Sequence, residues 1–222
     1  MPKTKKNLDT LELSLDFPET DGVEHPEAGM DTLLSDQIPN MAAKLSIYEE
    51  LLSVLTRDIS FNEFMTEILL SIMKGIRCEA GSILEVNHEE KTLFFRAATG
   101  HSSDQITQFV IPMGKGIAGH VAEAKQPFVT SNLEQNDVHL KSISKSVGFD
   151  AKSLLAVPIL VRGKIFGVLE LLNRVGEKEF SASDVELAMQ VCGYVSKAIE
   201  VRLMLSWSLQ SKAKQSKGSK AA

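Results

Sequence analysis

Between Met113 and Phe128 the chain runs MGKGIAGHVAEAKQPF, in which Gly114, Gly116 and Gly119 have the G-x-G-x-x-G spacing of a turn that cradles a dinucleotide pyrophosphate. That chemistry asks for a buried parallel strand before the turn, a full helix after it, and an acidic residue about twenty positions on. Glu134 stands at a tolerable distance, but Pro112 precedes Gly114 closely and Pro127 follows Lys125, leaving barely two helical turns between them. A crossover between parallel strands needs more. No Ser or Thr follows Lys115 as in a triphosphate-binding loop, so that chemistry is unsupported as well. What remains is local: glycines let backbone approach backbone or a ligand closely, and the helix that follows presents N–H groups at its start. A compact turn against a sheet is the reading that asks least of these residues.

Other reactive residue types are sparse. Cys78 and Cys192 are the two cysteines, far apart and without metal-type partners, which argues against a disulfide framework and a zinc site and fits a reducing, cytoplasmic setting. His88, His101, His120 and His139 lack the paired spacing of metal ligands, and no Ser sits in a G-x-S-x-G turn. His120 stays a candidate because it directly follows Gly119.

The elements that must position these residues follow from periodicity. Met41, Leu45, Tyr48, Leu52 and Leu55 recur at steps of four and three, the spacing of one helix face, with Asn40 as a candidate N-cap. Ser60 with Glu63 makes a capping box, and Phe64, Ile68, Ile72 and Ile76 continue a second amphipathic helix, at whose end Cys78 stands. Residues 82–86, 92–97 and 108–111 are short runs rich in strand-favouring types, and a further strand begins near Phe128. Residues 154–161 and 165–172 are denser apolar runs split by Arg162, Gly163 and Lys164, which suits a hairpin between strands covered on both faces. Ser181 then opens a long helix with Asp184 in its first turn and a stripe of Val185, Met189, Cys192, Val195, Ile199 and Leu203.

Ahead of and behind this core the composition changes. Residues 1–39 are acidic and punctuated by Pro18, Pro26 and Pro39, and are expected to be a disordered tail. Residues 40–59 are expected as the first helix, 60–207 as the domain, and 208–222 as a Lys/Ser-rich tail. A chain of 222 residues with 43% hydrophobic content can bury one good-sized core. Its net charge of −5 disfavours a nucleic-acid surface, which needs clustered Lys and Arg. No apolar run approaches the roughly 18 residues of a membrane span, and none follows the start as a signal peptide would require.

Three stretches agree in order with one known family. IPMGKGIAGHVAEAKQPFVTSNL, GFDAKSLLAVPILVRGKIFGVLELLNR and FSASDVELAMQVCGYVSKAIE resemble the glycine turn with its short helix, the closing hairpin and the last helix of a GAF domain, the small-molecule sensory module of signalling proteins. The resemblance covers about Phe61 to Leu205 and implies an α+β fold: a central antiparallel sheet, terminal helices on one face, and a roofed pocket on the other. In that architecture Gly114 and Gly119 shape the lid, while Gly116, Ile117 and Ala118 face the cavity.

Asn173, Arg174, Phe180, Asp184 and Glu186 resemble the Asn-Lys-Phe-Asp-Glu motif of cyclic-nucleotide-binding members, with Arg174 in place of Lys and Val185 between Asp184 and Glu186. An Arg174 to Asp184 bridge would brace a strand end against a helix start, and Asp184 also suits a helix N-terminus on its own. The Phe-Asp pair that nucleotide-binding members carry before a Gly is Ala98 and Thr99 before Gly100, and their usual Thr before Gly-Phe is Val147. A cyclic nucleotide is therefore not favoured. Free methionine sulfoxide reduction, an enzymatic activity within the family, requires a cysteine relay that two cysteines do not supply, and a bilin-attaching Cys-His pair is absent.

Alternation puts Ser82, Leu84 and Val86 on one strand face and Ile83 on the other, which makes Ser82 a candidate polar anchor. Asn132, Asp150 and Ser153 are candidates from flanking loops. The expectation is a non-catalytic sensory or regulatory module without a cofactor, taking an unidentified small molecule and reporting to a signalling partner. The apolar stripe of 41–55 and the last helix beyond Leu203 to Trp207 predict a homodimer through the terminal helices. A dimeric scaffold with a vestigial pocket is the competing reading.

Overall fold

The computed structural model describes residues 41, 42, 44–100, 106–131, 133 and 150–218, the stretch 206–218 as helical backbone. The expected tail 1–39 and the candidate Asn132 lie outside the described residues.

A first helix, α1, is described at residues 41, 42 and 44–55, and a tight linker leads into α2, Phe61–Ile76. The start of α2 is fixed by a reciprocal box: Glu63 N–H donates to Ser60 Oγ at 3.2 Å, and Ser60 N–H donates to Glu63 Oε2 at 2.8 Å. Its end is Arg77 at φ 59°, a left-handed residue whose N–H returns to Met73 O. Cys78 therefore opens the next strand and does not end the helix.

The strands are β1 (Cys78–Asn87), β2 (Thr92–Thr99), β3 (Val110–Pro112), β4 (Phe128–Thr130), β5 (Leu154–Val161) and β6 (Lys164–Arg174). They form one sheet in the order β3-β2-β1-β6-β5-β4, and each neighbouring pair is antiparallel among the described residues. The nine-residue helix α3, Gly116–Ala124, joins β3 to β4, which are the two opposite edges of the sheet. It is a strap across one face, not a crossover between parallel strands. The last helix, α4, runs Ala182–Gly218. Its backbone thus stays helical through most of the stretch expected as a tail, where Ser, Lys, Gln and Ala oppose helix formation little until Gly218.

Because successive side chains of a strand point to opposite faces, the dense apolar strands serve two separate cores. Ile83, Leu155, Val157, Leu169 and Leu171 pack with α1, α2 and α4 in the larger cluster, which includes Phe64, Ile68, Val191 and Val195. Leu84, Leu154, Ala156 and Val168 pack with Ile117, Ala118, Val121 and Ala122 of α3 in the smaller. The first helix enters its core through Ile47, Leu51 and Val54, whereas Met41, Leu45 and Leu52 of the expected stripe are 66%, 58% and 67% exposed.

Candidate functional site

The strap is built by packing. Gly114 N–H donates to Gly119 O at 3.0 Å, Lys115 N–H to Pro112 O at 3.1 Å, and Gly119 N–H to Lys115 O at 3.1 Å, so the turn closes on itself. A Cβ on Gly119 would stand 2.5 Å from Pro112 O, which is why no side chain fits there. The glycine spacing is thereby spent on backbone contact. Gly116, Ile117 and Ala118 are buried on the side of α3 that meets the sheet, while His120 is exposed on its outer side. The structure does not bring His120 to the covered face, because its helical position falls between the buried residues Gly119 and Val121 and points to solvent.

Beneath the strap, register lines up Ala98 on β2, Ser82 on β1, Glu170 on β6, Ala156 on β5 and Phe128 on β4. Ser82 and Glu170 are 6% and 5% exposed, and Ser82 Oγ donates to Glu170 Oε2 at 3.4 Å. Burial disfavours the charged form and pushes the Glu170 carboxyl up to about 7, with the Ser82 hydroxyl pulling weakly the other way. Ser82 is thus where alternation places it. Glu170 is absent from the sequence candidates, although one acid inside KIFGVLELLNR, a strand buried on both faces, was the available signal.

A second polar cluster sits at the start of β1 and the end of β6, and it is structural. Asn173 takes φ 56° and saturates its amide: Nδ2 donates to Glu79 Oε2 at 2.8 Å and Asp150 O at 2.9 Å, and Oδ1 accepts from Lys152 N–H at 2.8 Å and Ser153 N–H at 3.3 Å. Ser153 Oγ accepts from Arg174 N–H at 3.2 Å. Arg174 Nε lies 3.1 Å from Asp184 Oδ2, the pairing that the motif implies, and Phe180 is buried in the larger core. Asp150 is exposed, with its carboxylate 3.4 Å from Lys152 Nζ. Of these, Glu79, Lys152, Ser153, Asn173 and Arg174 line an open cleft of about 920 Å³, together with Lys178 among others, that shares no lining with Ser82 or Glu170. The predicted loop candidates Asp150 and Ser153 therefore belong to this knot and Ser82 to the sheet face.

The two thiols lie with the helical core. Cys78 and Cys192 both belong to the larger cluster, and burial pushes each thiol up to about 12. Burial of this kind favours the protonated thiol over the nucleophilic thiolate. No helix among the described residues is long and apolar enough to cross a membrane.

Comparison with known proteins agrees with this geometry. The cone cGMP-specific 3',5'-cyclic phosphodiesterase subunit alpha' of Bos taurus is 26% identical over 187 residues, a match that takes in 78% of this chain and 22% of that protein. The chain thus spans about a fifth of that relative's length. The GAF domain from Acinetobacter phosphoenolpyruvate-protein phosphotransferase superposes with a TM-score of 0.60 at 16% identity, over 73% of this chain and 96% of that one. The free methionine-R-sulfoxide reductase from Neisseria meningitidis, solved with its substrate, gives 0.61 at 13% identity, over 75% and 93%. Likeness at that identity concerns the fold. A sequence profile of the GAF domain matches residues 58–200, and with the antiparallel sheet, its helical layer and the strapped second face in view, the chain belongs to the GAF domain family.

Proposed function

We propose that the chain is a non-catalytic sensory module that holds a small molecule between the sheet and α3 and reports its occupancy through the terminal helices. The observation that carries this reading is the Ser82–Glu170 pair, a polar couple buried at mid-sheet under the strap where the fold itself asks only for apolar cover. The route outward is physical. Ser196 Oγ of α4 donates to Leu160 O at the β5–β6 turn, and Arg202 of α4 donates to the carbonyls of Arg57 and Ile59 in the linker before α2. A shift of the β5–β6 hairpin would therefore be felt by α4 and, through Arg202, by the linker before α2.

The exposed residues Met41, Leu45 and Leu52 of α1, next to a Tyr48–Tyr194 ring contact at 4.3 Å, are the surface through which we propose two copies pair. Thermal-shift screening with nucleotides, amino acids and amines, joined to native mass spectrometry, tests the sensory reading. A ligand at a hundred times its Kd adds about 2.7 kcal/mol of stability. Silence across all three classes and no retained small molecule would refute it.

A dimeric scaffold with a filled pocket is the second reading, favoured by one observation: Ile117 and Ala118 already pack with Leu84 and Val168. Cyclic GMP, for which the phosphodiesterase relative is named as specific, is a lesser candidate, since Ala98 and Thr99 replace the aromatic and acid that the binding members carry.

A further inference from the structure

Glu170 is the exception among the buried polar groups of the described residues. Ser71 donates to Glu67 O at 2.9 Å, Asn173 fills both ends of its amide, and Asp184 gathers three donors on one oxygen, the longest at 3.1 Å. Among the described residues Glu170 has one hydrogen bond, the 3.4 Å approach of Ser82 Oγ to Oε2, and its Oε1 has no partner. An ionised carboxylate has about four acceptor positions and is rarely left so bare in an interior. The surroundings do not help it. Its neighbours on that face are Val168 and Leu172 along β6, Ala156 on β5, and the apolar underside of α3; no titratable side chain among the described residues faces it from β1, β5, β6 or α3. The side chains directly beside it in register, Ser82 and Ala156, are small, with Ala98 beyond Ser82 and Phe128 beyond Ala156 on the edge strand.

We propose that Glu170, with Ser82 beside it, is the docking point for a small organic cation, a primary ammonium or guanidinium group whose N–H donors meet the carboxylate while its remainder lies over Ala98 and Ala156. This rests on the sensory reading above and names the ligand class for the same face. A cation is the partner that this buried acid lacks among the described residues: it supplies donors and cancels the charge at once, which a neutral donor cannot do. Because burial holds the carboxyl near neutrality, binding to its ionised form releases a proton, and affinity rises about tenfold between pH 6 and pH 8.

The test uses the full chain with n-butylammonium and agmatine as cationic probes and guanosine as a neutral N–H donor, followed by calorimetry at pH 6 and pH 8. The expected result is saturable binding of a cationic probe, about tenfold tighter at pH 8, lost in Glu170→Gln and weakened in Ser82→Ala, both variants melting cooperatively. A Glu170→Gln protein that binds the cations as wild type does, or a wild type that binds neither at pH 8, overturns the proposal. If Glu170→Gln does not fold, the carboxyl carbon resonance of Glu170 in the wild type decides, since an unmoved signal on probe addition also overturns it. A neutral or anionic molecule retained in native mass spectrometry equally by wild type and Glu170→Gln would sink the cation and leave the sensory module standing. No retention and no binding of any class would sink both.

Discussion

Asp184 Oδ2 accepts from Arg174 Nε at 3.1 Å and, on the same oxygen, from Ser181 N–H at 2.9 Å and Ser181 Oγ at 3.0 Å. One carboxylate oxygen thus caps the start of α4 and holds the end of β6 to it. Arg174 also donates from Nη1 to the carbonyls of Arg77 and Val175, so the guanidinium closes the seam between α2, β6 and α4.

Replacing Asp184 with Ala removes a cap and leaves a mostly buried guanidinium with two carbonyls and no counter-charge. A loss of about 2 kcal/mol is expected. The urea midpoint should fall while the slope stays constant. Ligand binding on the far face should be unchanged, and an equal loss of stability and affinity would show that the seam belongs to the site.

Two glycines, one in the strap and one on α4, carry predictions of opposite sign. In Gly119→Ala the new Cβ would meet Pro112 O at 2.5 Å and Gly114 N at 3.1 Å, both backbone atoms that cannot swing aside. A cost of about 2 to 3 kcal/mol is expected. In Gly193→Ala, on α4, the Cβ meets nothing within 4 Å, and removing unfolded-state freedom should stabilise by about 0.5 to 1 kcal/mol. Chemical denaturation of both variants checks this pair; a neutral Gly119→Ala would mean that the strap tolerates displacement and that its glycines are not there for closeness.

How far the sequence carried depended on whether a signal was local. The Ser60 box, the 162–163 turn and the alternation at Ser82 are short-range statements, and they map directly onto α2, the β5–β6 hairpin and the strapped face. The phase of α1 was not legible. Periodicity finds both the stripe 41, 45, 48, 52, 55 and the stripe 47, 51, 54 on one helix, and only the surface that α1 meets decides which is buried. Glu170 was missed because a strand buried on both faces reads as one apolar run, in which a single acid looks like noise until the cross-strand partners are known.

Glu170 should also make stability fall as pH rises. Its folded pKa, about 7, lies above the unfolded value of 4.5, so between these limits the folded state binds more protons than the unfolded state. The slope of unfolding free energy against pH is then negative: the contribution is favourable below about pH 4.5 and is lost as pH climbs through 7. At 1.36 kcal/mol per unit, the full excursion is about 3 kcal/mol. Glu170→Gln cannot ionise, so its stability relative to wild type should improve by up to that amount between pH 5 and pH 8. Parallel curves for the two proteins would show that the carboxyl titrates normally.

The two apolar faces of α1 separate folding from assembly. Leu51 is 5% exposed and packs in the helical core, so Leu51→Glu should abolish the cooperative transition outright. Leu45 and Leu52 touch solvent in the single chain, so a Leu45→Glu, Leu52→Glu double variant should keep the fold of one copy while placing like charges wherever two α1 helices meet. Light scattering on size-exclusion chromatography is expected to give a dimer for wild type and a monomer for the double variant at micromolar concentration, and the melting temperature of wild type alone should depend on protein concentration. A wild-type monomer would refute the pairing, whereas a double variant that stays dimeric would move the interface elsewhere, and α4, where Val201, Met204 and Leu205 are 44%, 51% and 50% exposed, would be the next surface to charge.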